Sequence, residues 1–292
     1  MNKFTGLLLI IATACVHAAS AGWYFESKAD TTSRGESEGG AFAHDAKTWL
    51  DGNNLRMEFT RSDNPVMPAG SYLLSRDQGV NLLLVNPEAK TYSPFNPGEF
   101  ASSMMNMMGG MMQFKNARVE KLADEDAGEM LGQAVRRYQF NTSYDMEMNI
   151  FGMRQSSRYE SNQEIWAAPG IVASHFDIFG GADALPISDA SFKDQVKSVM
   201  AEVKGLPLKQ IIKTKTTDPS GKVSNDQSTI TVTTLRKENI PAAMFELPAD
   251  YEEVPFFAAI ANAAGEEMPD DMPAFDPSAL MEMMKQFQQP GE

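Results

Sequence analysis

The chain has 292 residues, of which 42% are hydrophobic and 22% charged, with a formal net charge of -14. That apolar content supports a buried core. The acidic balance excludes docking on nucleic acid or on an anionic membrane surface, both of which need clustered Lys and Arg.

Residues 1–21 carry the pattern of an export leader: Lys3, an apolar run from Phe4 to Val16 too short to span a bilayer, then small residues. Ala19-Ser20-Ala21 fits the small-x-small rule for cleavage, with Val16-His17-Ala18 as the alternative. A periplasmic protein is expected. The single cysteine, Cys15, ends Ala12-Thr13-Ala14-Cys15, which offers lipid anchoring as a competing outcome. Cleavage after Ala21 leaves no cysteine, and with it no disulfide, zinc-thiolate site or cysteine nucleophile.

Trp23 to Ala29 reads as the first strand, and the Gly/Ser/Glu-rich stretch from Ser33 to Gly40 as a loop. The clearest pattern runs from Lys47 to Phe95. Leu55, Met57 and Phe59 alternate with Arg56, Glu58 and Thr60, the period of a strand with one dry and one wet face. Asp51-Gly52 and Asp77-Gln78-Gly79 supply the positive-φ residues of tight turns, so an antiparallel meander is predicted. Ion loops would need a ladder of oxygen ligands, which these turns lack.

Asn96 and Pro97 predict the start of a helix running through Phe100 to Phe114, with Phe100, Met104, Met107, Met108 and Met111 on one face and Gly109-Gly110 as a weak point. Strands return from Asn116 to Trp166. A Gly-rich connection spans Ala168 to Asp183, and a helix over Ala190–Lys204, capped by Ser188 or Asp189, buries Phe192, Val196, Val199 and Val203. Two strands, Leu208–Thr217 and Val223–Leu235, complete a domain spanning residues 22–251. Residues 252–292 form an acidic Pro/Met-rich tail, with Leu280, Met283, Met284 and Phe287 as the stripe of a short amphipathic helix after Asp276-Pro277.

The motif Trp49-x-Asp51-Gly52, followed by Arg56, Asp77-x-Gly79 and Pro87-x-x-Lys90-x-Tyr92, resembles exported bacterial proteins of unknown function. So does Gly205-Leu206-Pro207 followed by Ile240-Pro241-x-x-x-Phe245-x-x-Pro248-x-x-Tyr251. Those proteins are placed beside the periplasmic lipoprotein carriers of the Lol type. The resemblance implies a mainly β (α+β) fold, with a curved antiparallel sheet as an unclosed half-barrel, helices over its concave face and a hydrophobic cavity between. The methionine segment near 97–114 and the acidic tail depart from the carrier pattern.

The sequence expectation is therefore a non-enzymatic binding protein for an acyl chain, lipid or apolar peptide. The candidate lining is Trp49, Phe59, Tyr72, Met104, Met107, Met108, Met111, Tyr138 and Trp166. Methionine favours such a surface because its unbranched, polarisable side chain re-packs around varied shapes. Two other readings stay open. The same methionines at 104, 107, 108 and 111 are soft ligands for copper, and the aromatics are also what a self-filled sheet core would use. No catalytic motif is present, and no cofactor is implied.

Overall fold

The computed structural model describes residues 20–34, 43–100, 112–150, 153–171, 190–256 and 258–260. In chain order the elements are β1 (Ser20–Arg34), β2 (His44–Asp51), β3 (Asn54–Ser62), β4 (Tyr72–Ser75), β5 (Leu82–Asn86), β6 (Thr91–Phe95), β7 (Met112–Met130), β8 (Gln133–Ile150), β9 (Met153–Ala168), α1 (Ala190–Met200), β10 (Leu206–Thr217), β11 (Val223–Ile240) and β12 (Glu252–Glu253). All twelve strands form one unclosed sheet, ordered β12-β6-β5-β4-β3-β2-β1-β11-β10-β9-β8-β7. Every pairing is antiparallel except β12 with β6.

The meander forms as the alternation requires. Gly52 (φ 56), Gln78 (φ 64) and Gly79 (φ 83) take the left-handed conformations of its turns. Asp77 fixes the second turn: its carboxylate accepts bonds from the Ser75 hydroxyl at 2.9 Å, the Asn81 amide N–H at 3.0 Å and the Asn81 side chain at 2.6 Å. Asn96 caps the next helical start, its side chain accepting the Glu99 N–H at 2.9 Å.

One face of the sheet carries the main core. Phe25, Thr48 and Met57 lie in register across β1, β2 and β3, with Ala46, Leu50, Leu55, Phe59, Leu73 and Leu84 around them, all buried. The helix α1 packs on the same face further along: Phe192 and Val196 meet Ala117, Val119 and Tyr144, while Val199, Met200 and Val203 meet Tyr138, Phe140 and Ile165. The four apolar positions read from the sequence are those that face the sheet. Behind the meander, a 3-10 turn at Ala242–Phe245 covers Tyr72, Leu74 and Val85. Arg56 and Arg76 hold it there through the carbonyls of Met244 and Phe245, at 3.4 and 2.8 Å.

Several boundaries differ from expectation. The helix read over 100–114 is helical at 97–100, but Met112 and Phe114 belong to β7, opposite Met148 and Met146 of β8. Spacing alone misled here, because methionines packed this densely fit a helical stripe and an alternating strand equally well. Residues 101–111, with Met104, Met107, Met108 and Met111, lie outside the described residues, as does the tail helix read over 276–287. β1 continues through Arg34 into the stretch read as a loop, held by its ladder to β11. β11 reaches Ile240 rather than Leu235 for the same reason.

The fold also does not stop at Tyr251. The N–H groups of Glu252 and Val254 donate to the carbonyls of Lys90 and Tyr92, each at 2.9 Å. Phe256 then stacks on Phe95 with ring centroids 4.6 Å apart. A polar, Pro-flanked segment acquires strand structure because it satisfies the open edge of β6.

Candidate functional site

The register divides the predicted lining residues between the two faces. Tyr138 lies in a file running Asp124–Tyr138–Ile165–Gln210–Ile230–Ala29 across β7, β8, β9, β10, β11 and β1. Trp166 lies in the adjoining file, Glu125–Arg137–Trp166–Lys209–Thr231–Lys28, which points the other way. Likewise Phe59 shares the core face with Met57, whereas Trp49 and Tyr72 point to the opposite face with Arg56 and Leu74. By register the five described residues are divided between the two faces, although Trp166 packs against the cluster that holds Phe59, and Trp49 against the cluster that holds Tyr72.

Each of them is engaged by protein. Phe59 is 2% exposed and meets His44 edge to face at 5.5 Å. Tyr138 is 1% exposed, and its hydroxyl accepts the Lys204 N–H at 3.4 Å where the chain leaves α1. Tyr72 lies under the Arg56 guanidinium, 3.7 Å from its ring centroid. Trp166 faces the Lys209 ammonium at 4.9 Å. Trp49 donates to Glu238 at 3.0 Å and tilts against Tyr24 at 5.3 Å. Tyr24 in turn donates to Glu26 at 2.5 Å beneath Arg236. Burial first, then the bond to Glu26 and its negative charge, push the Tyr24 phenol up to about 12 against the opposing Arg236.

A different group of side chains does assemble, on the face that carries α1. Tyr144, Met146 and Met148 project from β8, facing Tyr159, Ser157 and Gln155 of β9 on one side, and Met146 and Met148 face Phe114 and Met112 of β7 on the other. Tyr144 stacks on Tyr159 at 5.1 Å, meets Phe114 at 5.3 Å and Phe192 of α1 at 5.9 Å. Desolvation raises the pKa of both tyrosines, so both phenols stay neutral in ordinary buffers. The methionines and these aromatics, apart from the buried Phe192, are half-buried. The alternation Tyr144-x-Met146-x-Met148 was a readable signal for this strip, and it directly follows the strand assigned from the 134–140 pattern.

The reverse side of the same strands is polar. Lys115–Glu147, Arg158–Asp145 and Lys215–Glu160 pair there at 2.6, 2.9 and 3.0 Å. A trough of about 780 Å3 crosses it, lined chiefly by Arg118, Glu120, Asn141, Asn162, Lys213 and Lys215. Its amides bond one another, Asn162 to Asn141 at 2.7 Å. Such a lining leaves no dry wall for an acyl chain. Among the described residues no group of three or more His, Cys, Asp or Glu side chains could hold a metal ion, and no helix is long and apolar enough to cross a membrane.

Residues 36–251 match the family model described as a domain of unknown function, DUF4412, and the chain belongs to that family. No curated protein matches it.

Proposed function

We propose that this member of an uncharacterised family is an exported, periplasmic, non-enzymatic binding protein for an apolar ligand such as an acyl chain, a lipid or an apolar peptide. The observation that carries the reading is the half-buried strip of Met112, Phe114, Tyr144, Met146, Met148 and Tyr159 beside α1. It moves the site away from Trp49, Phe59, Tyr72, Tyr138 and Trp166, which the protein's own contacts occupy. Burial of apolar surface is worth about 25 cal/mol per Å2, and methionine beside aromatic rings suits a ligand of variable shape. The resemblance to Lol-type carriers and the leader-like residues 1–21 support the same reading. Met104, Met107, Met108 and Met111 lead in sequence directly into the strip.

Copper(I) handling is the second reading, favoured by one observation: Met112 and Met148 face each other across the β7–β8 ladder, and thioether sulfur is a soft ligand.

Native mass spectrometry of protein purified gently from the periplasm, before and after organic extraction, tests the proposal. An extractable adduct of lipid-like mass is expected, and Met146→Lys should abolish it. A bare protein mass, with no uptake of added fatty acid, overturns the apolar reading. Stoichiometric uptake of Cu(I) by that same bare protein would favour the second.

A further inference from the structure

We propose that the polar trough on the reverse side of the sheet is a second binding site, and that its ligand is a neutral, extended, polyhydroxylated chain, that is, a glycan. The trough is separate from the apolar strip. Its Ser143 and Glu160 are direct chain neighbours of Tyr144 and Tyr159 of the strip on β8 and β9, and so point to the other face.

The ladders fix its shape. Six neighbouring strands, from β7 to β1, carry one crosswise row of its side chains: Glu120, Asn141, Asn162, Lys213, Gln227 and Thr32. At a strand spacing of about 4.8 Å that row spans roughly 24 Å, which suits a chain of several sugar rings better than one small molecule. β8, β9, β10 and β11 are paired on both sides along the row, so its floor is held in place before any ligand arrives.

The chemistry of the lining selects the class of ligand. Every side chain that lines the trough can hydrogen-bond, and none is aliphatic or aromatic. Its charges cancel, Arg118, Lys213 and Lys215 against Glu120, Glu160 and Asp226, in a chain of net charge -14. A phosphate or sulfate polymer would meet those carboxylates with no surplus of cations to hold it. A peptide would find no apolar pocket for its side chains. An amide side chain offers two donors and an acceptor in one plane, and a hydroxyl is both donor and acceptor. Asn141, Asn162 and Gln227 therefore match a ligand edge made of successive hydroxyls. Part of this capacity is spent on building the floor: Asn162 donates to Asn141 at 2.7 Å, and Lys215 pairs with Glu160 at 3.0 Å. Part of it is unspent. Among the described residues Arg118 and Glu120 form no ion pair, and Ser143 and Thr32 make no side-chain hydrogen bond.

Saturation-transfer NMR of the whole protein with cellohexaose and chitohexaose tests the proposal, with polygalacturonate as the anionic comparison. Saturable transfer to at least one neutral hexasaccharide is expected. Asn162→Leu and Arg118→Ala should each weaken it about tenfold, the effect of losing one good hydrogen bond. Arg118 is exposed and unpaired, so its variant should keep the parent Tm and report on binding alone. Met146→Lys should leave glycan binding unchanged, which separates this site from the apolar strip. No saturable transfer to either neutral probe, transfer to polygalacturonate alone, or parental affinity in Arg118→Ala and Asn162→Leu would each overturn the assignment.

Discussion

Thr48 should be more useful to the fold as valine. It lies at the centre of the core, 0% exposed, between Ala46 and Leu50 along its own strand and between Phe25 and Met57 across the ladder. Its Oγ1 is buried and has no hydrogen-bond partner among the described residues. A hydroxyl stranded in that way costs roughly 1–3 kcal/mol. Valine replaces it with a methyl group of nearly the same volume and suits a strand equally well. Thr48→Val is therefore expected to stabilise the protein by about 1–2 kcal/mol, or about 2–4 °C in Tm per kcal/mol for a domain of this size. Thr48→Ser keeps the hydroxyl and loses a methyl, which costs about 0.8 kcal/mol in burial alone. The assay is urea unfolding followed by tryptophan fluorescence, with the midpoint rising for valine, falling for serine, and m unchanged. A valine variant less stable than the parent by about 1 kcal/mol would show that the hydroxyl makes a bond worth having, and the reasoning would fail.

Other outcomes follow from the same structure. Phe256→Ala removes a ring stacked on Phe95 and edge-on to Phe100 at 5.7 Å, and should cost about 1–3 kcal/mol by thermal or urea unfolding; no loss would mean the segment after Tyr251 is not part of the fold. Gly205→Ala should cost at least about 2 kcal/mol, because φ is +87 there and the new β-carbon meets the Ala168 carbonyl and Pro169; a variant as stable as the parent would refute that close approach. The raised Tyr24 phenol favours the neutral form in the folded state. Its contribution is complete below the unfolded value near 10 and is lost as pH rises from there to about 12, a loss that Tyr24→Phe should remove from the alkaline unfolding profile. Asp77 has the opposite sign. Burial raises its pKa, but the bonds from Asn81 and Ser75 outweigh burial, so it ends low; stability is lost as pH falls below about 4, and less of it in Asp77→Asn.

Elements whose pattern is local were readable in the sequence. Leu55, Met57 and Phe59 repeat every second residue, and Phe192, Val196, Val199 and Val203 repeat at helical spacing, so the meander and α1 were assigned with the right buried faces. What depends on distant partners was not. Nothing near Arg34 or Ile240 announces that the two strands extend to meet each other, and nothing in Glu252-Glu253 marks a strand without the open edge of β6. The β7–β8 hairpin turns on Leu131 (φ 50) and Gly132 (φ 74), and a leucine in a left-handed turn gives no signal of the Asn-Gly kind. The described part of the candidate lining is divided between the faces for a related reason. Phase along one strand is visible in sequence, but bulges such as that between Asp45 and Ala46 reset it between strands. Trp49 and Phe59 were grouped by residue type and fell on opposite faces.

The position of β1 has a consequence for the order in which this protein is made. The first strand of the chain is not at an edge of the sheet but near its middle, and its partner on one side is β11, with Glu26 and Thr234 bonded across a separation of 208 residues. Synthesis therefore delivers the two halves of the sheet separately, and the seam that joins them closes only when nearly the whole domain has emerged. Contacts this remote are slow to form. A nascent chain of this topology cannot close its sheet until β11 has been synthesised, so the last long strand to be made is the one that completes the fold.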